Sequence, residues 1–260
     1  MSAVDVHAVV TGRADAPAVI LSNSLGSTHA MWDAQVTALE EHFRVVRYDT
    51  RGHGVSPVPA GPYTIDDLAD DLVGVLDRYG IARAHVVGLS LGGATAMRVA
   101  ARNPERVDRL ALFCTAAKFD PEQAWVDRAT LVRAEGTGAV APAVVQRWFS
   151  PGWYADHPEE HAYYQAMIAD TPVEGYAGCC DAIGVLDLRP DLAGIAAPTL
   201  VVAGADDQAT PPAWLQVIAD GIPEARLLVV PDSAHLAPAE QPDTITPALI
   251  EHLLNQQEQS

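Results

Sequence analysis

The pentapeptide Gly88-Leu89-Ser90-Leu91-Gly92 constrains this chain more tightly than any other stretch, because of what stands on either side of it. The short apolar run His85-Val86-Val87 ahead of it reads as a buried strand, and the residues after it read as a helix running to about Asn103-Pro104. A strand that turns straight into a helix leaves little room at the corner. Gly88 and Gly92 take away side chains that would collide there, and Ser90 is left in a tight, strained turn. The amino end of the helix then directs backbone N–H groups and a positive dipole toward whatever faces the serine. G-x-S-x-G in this setting marks an acyl-transfer nucleophile.

The surroundings repeat the same rhythm. Val19-Ile20-Leu21, Arg44–Tyr48, Arg109–Cys114, Thr199–Ala203 and Arg226–Val230 are strand-like, and helical stretches separate them. The clearest helix starts at Thr64, carries Asp66 and Asp67 in its first turn, buries Ile65, Leu68, Leu72, Val75, Leu76 and Tyr79 at helical spacing, and ends at Gly80. Strands alternating with helices predict a mostly parallel sheet covered on both faces. Between about Lys118 and Pro190 the buried-strand runs stop, and Trp125, Trp148 and Trp153 lie among arginines. That stretch is too long for a plain loop and predicts an inserted helical cap. The expected organisation is an α/β core of residues 1–117 and 191–260, with a helical cap of residues 118–190. The tail from Asn255 to Ser260 is expected to fray.

In this fold the order of groups is serine, acid, histidine. Of nine histidines, His235 follows the last strand and is placed to take the Ser90 proton. The acid belongs after the preceding strand, where Asp206 and Asp207 both stand. An oxyanion needs two backbone donors. Leu91 N–H, just after the serine, is one, and Leu25 N–H in the turn Asn23-Ser24-Leu25-Gly26 is the expected second. The side chains of Asn23 and Ser24 either reach substrate or brace that turn. Asp49-x-Arg51-Gly52-His53-Gly54-x-Ser56 reads as a structural turn with a hydrogen-bonded histidine. No His, Cys and Asp residues show metal-ligand spacing, and no phosphate or dinucleotide glycine fingerprint is present.

Composition limits the partners. The 260 residues suffice for one large domain, and 49% hydrophobic with 19% charged residues is an ordinary globular mix. A formal net charge of -18 argues against nucleic acid and anionic membranes, and an anionic small molecule would need a local arginine to receive it. No apolar run approaches the roughly 18 residues of a membrane span, and the start does not read as a signal peptide. Three cysteines, two of them adjacent, do not form a disulfide framework, so a reducing cytoplasm is the expected compartment.

Several segments together resemble the 3-oxoadipate enol-lactonases, an α/β-hydrolase family. They are Leu21–Gly26, Met31-Trp32-Asp33, Arg47–Gly54 with Ser56, Gly88–Gly93, Arg147-Trp148-Phe149 and Gly175–Cys180. The resemblance implies the α/β-hydrolase fold and opening of an enol-lactone to 3-oxoadipate in bacterial aromatic-acid catabolism, with no metal or organic cofactor. It also implies Ser90 as nucleophile, His235 as base, and Asp207 rather than Asp206 as the acid. Such a small anionic lactone carries a free carboxylate, for which Arg133 and Arg147 are candidates, with Trp125 and Trp148 as pocket walls. A general carboxylesterase, a perhydrolase or a carbon–carbon bond hydrolase would share the same three residues. A non-catalytic small-molecule receptor could keep them too.

Overall fold

The apolar runs around Val19 and Val86 become neighbouring inner strands of a seven-stranded sheet in the computed structural model, which describes residues 3–255. Gln256–Ser260, most of the tail expected to fray, lie outside the described residues. The strands are β1 (Ala8–Gly12), β2 (Ala18–Ser22), β3 (Arg44–Tyr48), β4 (Ala84–Leu89), β5 (Val107–Phe113), β6 (Thr199–Gly204) and β7 (Arg226–Val230). Their order is β1-β3-β2-β4-β5-β6-β7; every neighbouring pair is parallel except β1 with β3. Every residue of β2, β4 and β6 is buried, which is why these strands read as unbroken apolar runs. The half-exposed edge strand β1 has no such run, and the sequence pattern passed over it.

Helices α1 (Asp33–Glu40), α2 (Ile65–Arg78), α3 (Leu91–Arg102), α9 (Pro212–Gly221), α10 (Ala237–Glu240) and α11 (Pro242–Leu254) flank the sheet. Helix α2 starts where the spacing predicts. The Thr64 hydroxyl accepts from Asp67 N–H while the Asp67 carboxylate accepts from Thr64 N–H, a reciprocal cap. No helix is long and apolar enough to cross a membrane among the described residues.

Between β5 and β6 the described chain contains only helices: α4 (Glu122–Glu135), α5 (Ala141–Trp148), α6 (Pro151–Asp156), α7 (Pro158–Ala169) and α8 (Val173–Val185), with short single-turn segments. Helix α8 meets the turn after β3 backbone to backbone. Gly52 has a φ of +73°, and a Cβ on Gly175 would stand 2.0 Å from the Gly52 carbonyl oxygen. Arg51 holds that turn for the helix. Arg51 is fully buried, with Nε 2.6 Å and Nη2 2.8 Å from the two oxygens of Asp71, a bidentate pair. The same guanidinium donates to the Asp67 carbonyl at 2.9 Å.

Two histidines are buried here, His85 within β4 and His252 of α11 against β5. His252 donates from Nε2 to the Leu110 carbonyl at 3.0 Å, so Nε2 carries a proton. Burial pushes both His252 and His85 down to about 4.

Two outcomes follow from this packing. Gly175→Ala forces Gly52 and α8 apart, and chemical denaturation should show a loss of about 1–3 kcal/mol, the usual cost of overpacking; an unchanged midpoint would mean that this contact does not hold the helix. Unfolded histidine protonates near its ordinary pKa of 6.5, whereas folded His252 stays neutral to about 4. Its contribution is therefore complete above pH 6.5 and declines as pH falls toward 4. His252→Gln should flatten the stability–pH curve in that window, measured by urea unfolding at several pH values.

Candidate active site

The carboxyl ends of β2, β4, β6 and β7 bring four loops together, as expected where strand order reverses in an open parallel sheet. The loop after β4 is the corner at Ser90. Its φ of 57° and ψ of -117° lie outside the regions comfortable for an L-residue. Close packing enforces that geometry. A Cβ on Gly88 would stand 2.1 Å from the Gly92 carbonyl oxygen, and one on Gly92 would stand 2.2 Å from the Ser22 carbonyl oxygen. Ser90 N–H donates to Phe113 O at 3.0 Å, and the Thr115 hydroxyl donates to Ser90 O at 2.6 Å. The serine is thereby fixed at the amino end of α3.

The loop after β6 carries Asp207, buried, and Asp206, exposed. Asp207 Oδ1 accepts from Ala209 N–H at 2.7 Å and Thr210 N–H at 3.0 Å. Its Oδ2 accepts from the Thr210 hydroxyl at 2.7 Å and lies 2.8 Å from His235 Nδ1. Burial alone would raise the Asp207 pKa, but His235 and Thr210 outweigh it and hold the carboxyl below its ordinary value. An ionised carboxylate only accepts, so Nδ1 is the donor and Nε2 of neutral His235 keeps its lone pair. Ser90 and His235 both line one cavity. Asp206 does not join them; its N–H donates to Ser233 O.

The His235 loop is tied to the helices between β5 and β6. Buried Glu240 accepts from Ser150 N–H at 2.9 Å and from Ala234 N–H at 2.7 Å, and Leu236 N–H donates to Trp148 O at 2.7 Å. Neither Glu240 nor Thr210 carries a sequence motif; only proximity reveals them.

The turn after β2 is braced from three sides. Asn23 donates from Nδ2 to Tyr48 O at 2.6 Å and accepts from Trp32 Nε1 at 3.0 Å. Both ends of its amide are occupied, so Asn23 braces the turn and does not line the cavity, whereas Ser24 does line it. Gly26 N–H donates to His53 Nε2 at 2.9 Å, and His53 Nδ1 donates to Arg51 O at 3.1 Å. Burial lowers the His53 pKa and keeps this ring neutral, as an accepting Nε2 requires. Among the described residues, neither Leu25 N–H nor Leu91 N–H is committed to an internal hydrogen bond, and Leu25 lines the cavity.

The cavity encloses about 300 Å³. Trp125, Trp148 and Arg147 line it, together with Arg128, Tyr176 and Trp214, which spacing did not single out. Helix α4 buries only Ala129 and Val132, too few to show from sequence which arginine turns inward. It is Arg128 that does so, lying 4.6 Å over the Trp125 ring. Arg133, expected as a carboxylate receiver, lies instead on another groove, paired with Asp181 at 2.7 Å and Glu174 at 3.4 Å. Among the described residues, Arg128 and Arg147 have no carboxylate partner; Arg147 donates only to Ala143 O, at 3.3 Å. Partial burial, then the nearby Arg128 charge, lowers the Arg147 pKa. The buried Tyr176 hydroxyl lies near Arg128 without reaching hydrogen-bond geometry.

A family model described as the alpha/beta hydrolase fold matches residues 17–242. The chain is 41% identical to 3-oxoadipate enol-lactonase 2 of Acinetobacter baylyi over 238 residues, covering 92% of this chain and 89% of that protein. It is 37% identical to 3-oxoadipate enol-lactonase 1 of the same organism, covering 90% and 87%. The crystal structure of the enol-lactonase from Burkholderia xenovorans LB400 superimposes with a TM-score of 0.95 at 42% identity, covering 98% of this chain and 99% of that one.

Thr210→Val removes a hydroxyl donor to the Asp207 carboxylate and leaves the backbone donors in place. Hydrogen bonds to charged groups are worth about 1.5–3 kcal/mol, so hydrolysis of an aryl ester should slow by about ten-fold or more. An unchanged steady-state rate would show that the backbone N–H groups alone hold Asp207.

Proposed function

Because this chain belongs to the α/β-hydrolase family, we propose that it opens 3-oxoadipate enol-lactone, a small lactone with a free carboxylate, through an acyl intermediate on Ser90. The observation that carries the substrate is the pair Arg128 and Arg147. In a chain with a net charge of -18, two arginines without a carboxylate partner among the described residues share one cavity with Ser90 and His235. A neutral ester needs neither of them; a carboxylate-bearing substrate needs at least one. The names of the relatives support the same reading.

In this mechanism His235 Nε2 takes the Ser90 proton as Oγ attacks the lactone carbonyl, and Asp207 steadies the imidazolium without taking its proton. Leu25 and Leu91 N–H receive the oxyanion, each such donor being worth about 3 kcal/mol in the transition state. Collapse breaks the ring C–O bond and expels an enolate, a good leaving group, which takes up the proton held on His235 Nε2 and returns the ring to its neutral form. His235 then activates a water that attacks the acyl-enzyme, and Ser90 regains its proton as the dicarboxylate departs. The chain itself supplies nucleophile, base and oxyanion donors. Residues 118–190 act as a cap over the core of residues 1–117 and 191–260, with Trp125 and Trp148 limiting water and the two arginines orienting the substrate carboxylate. On this reading the reaction belongs to bacterial aromatic-acid breakdown, in the cytoplasm.

Rates on enol-lactone and on neutral p-nitrophenyl acetate test the reading. Ser90→Ala should abolish both activities. Losing a charge-assisted contact costs about 1.5–3 kcal/mol, so Arg128→Ala or Arg147→Ala should raise KM for the lactone about ten-fold or more and leave the neutral ester unaffected. Equal efficiency of the wild type on both substrates would make the protein a general esterase, and failure to turn over either would favour a carbon–carbon bond hydrolase or a receptor.

A further inference from the structure

Away from the cavity, three side chains that stand far apart in the sequence meet beside the outer edge of the sheet. His7 immediately precedes β1, His29 opens the single turn (His29–Trp32) ahead of α1, and Asp49 follows β3. One ligand atom from each, two imidazole nitrogens and a carboxylate oxygen, lie within 4.8 Å of one another. We propose that His7, His29 and Asp49 form a binding site for a single divalent transition-metal ion of the zinc type, separate from the hydrolytic site. Sequence spacing shows no ligand set because strand pairing, and not a local motif, assembles this one.

The main chain fixes all three residues before any ion arrives. Asp49 N–H donates to His7 O at 2.9 Å, continuing the register that sets Ala8 opposite Tyr48. His7 N–H donates to the Ser56 hydroxyl at 2.8 Å, and that hydroxyl donates to Asp49 O at 2.6 Å. His29 N–H donates to Asp49 Oδ1 at 2.8 Å. Because binding leaves these backbone bonds intact, little ordering remains to oppose it.

The side-chain geometry has the right scale. His29 Nδ1 lies 2.9 Å from Asp49 Oδ1. Two donors each about 2.0–2.2 Å from zinc, at the angles of a tetrahedral or octahedral shell, stand roughly 3 Å apart. That spacing suits an ion bound between the His29 nitrogen and the Asp49 oxygen. The His7 ring makes no hydrogen bond among the described residues and packs at 5.6 Å, centroid to centroid, from the His29 ring. Both imidazoles are half-exposed, so water can complete the shell. Two nitrogens with one carboxylate favour zinc, cobalt or nickel over magnesium or calcium, which prefer oxygen. The net charge of -18 adds a long-range attraction for any cation.

The expected consequence is stability. Asp49 heads the turn whose His53 holds Gly26 N–H, and His29 ends the segment that contains Gly26, so the ion would tie the two turns together. Protein stripped with EDTA and dialysed should take up one equivalent of Zn²⁺ by calorimetry. Its melting temperature should rise with Zn²⁺ and not with Mg²⁺. Replacing even an outer-shell partner of a metal costs about ten-fold or more in affinity, so His7→Ala, which breaks no hydrogen bond of the ring, should weaken Zn²⁺ binding at least that much and abolish the melting shift. His29→Ala should do the same. Zinc binding that is unchanged in both variants, or a wild type whose melting temperature ignores Zn²⁺, would overturn the proposal.

Discussion

Everything at the carboxyl edge of the sheet depends on the close approach of β2, β4 and α3 around Ser90. A non-glycine residue in that backbone region costs about 1–3 kcal/mol and persists only where its neighbours leave no alternative. Here the Gly88 position is closed by the Gly92 carbonyl and the Gly92 position by the Ser22 carbonyl, so strand and helix touch through their backbones. The Thr115 hydroxyl takes the Ser90 carbonyl, and Phe113 O takes its N–H. Relaxing the serine would require β4 and α3 to separate from a core in which the surrounding strand residues are fully buried.

The other three loops rely on buried polar bonds instead of strain. Asp207 is saturated by two backbone N–H groups, a hydroxyl and an imidazole, which keeps a buried carboxylate ionised. Glu240 joins the His235 loop to Ser150 and so ties that loop to the helices between β5 and β6. His53, kept neutral by burial, spans from the Gly26 N–H to the Arg51 carbonyl, and Arg51 is anchored on Asp71. The prominent Asp49–Ser56 turn is thus the scaffold of the Leu25 segment. One element supports several neighbours: Gly52 receives Gly175 of α8 in the same turn whose first residue, Asp49, receives His29.

Electrostatics separates the cavity from the rest of the surface. Most arginines elsewhere are paired, such as Arg98 with Asp66 and Asp191, or Arg133 with Asp181. Arg128 and Arg147 face the cavity, and the Arg147 guanidinium is held less favourably than it would be in water. A pair of like charges in a confined space is destabilising by itself and is relieved when an anion enters. The protein's negative charge repels such an anion at a distance, so selectivity has to arise at short range.

Local pattern determined a great deal here. Buried parallel strands have to be continuous apolar runs, so β2, β4 and β6 were legible, and a strand–glycine–serine–glycine–helix corner permits few structures, so the Ser90 corner and the fold class were too. His235 followed from its place after the last strand. What the chain order left open were choices between near neighbours that differ only in where a side chain points. Asp206 and Asp207 are adjacent, yet only Asp207 turns inward to the Thr210 and His235 donors. Arg128 and Arg133 share one helix with a weak apolar stripe, and packing of α4 on α8 sends one into the cavity and the other to Asp181. Asn23 could have reached substrate until Tyr48 and Trp32 occupied its amide. The meeting of His7, His29 and Asp49 has no local signature, because antiparallel pairing of β1 with β3 creates it. Periodicity and turn chemistry act over a few residues and are written along the chain; the direction of a side chain at a site is set by contacts between segments tens of residues apart, and only the folded structure decides those.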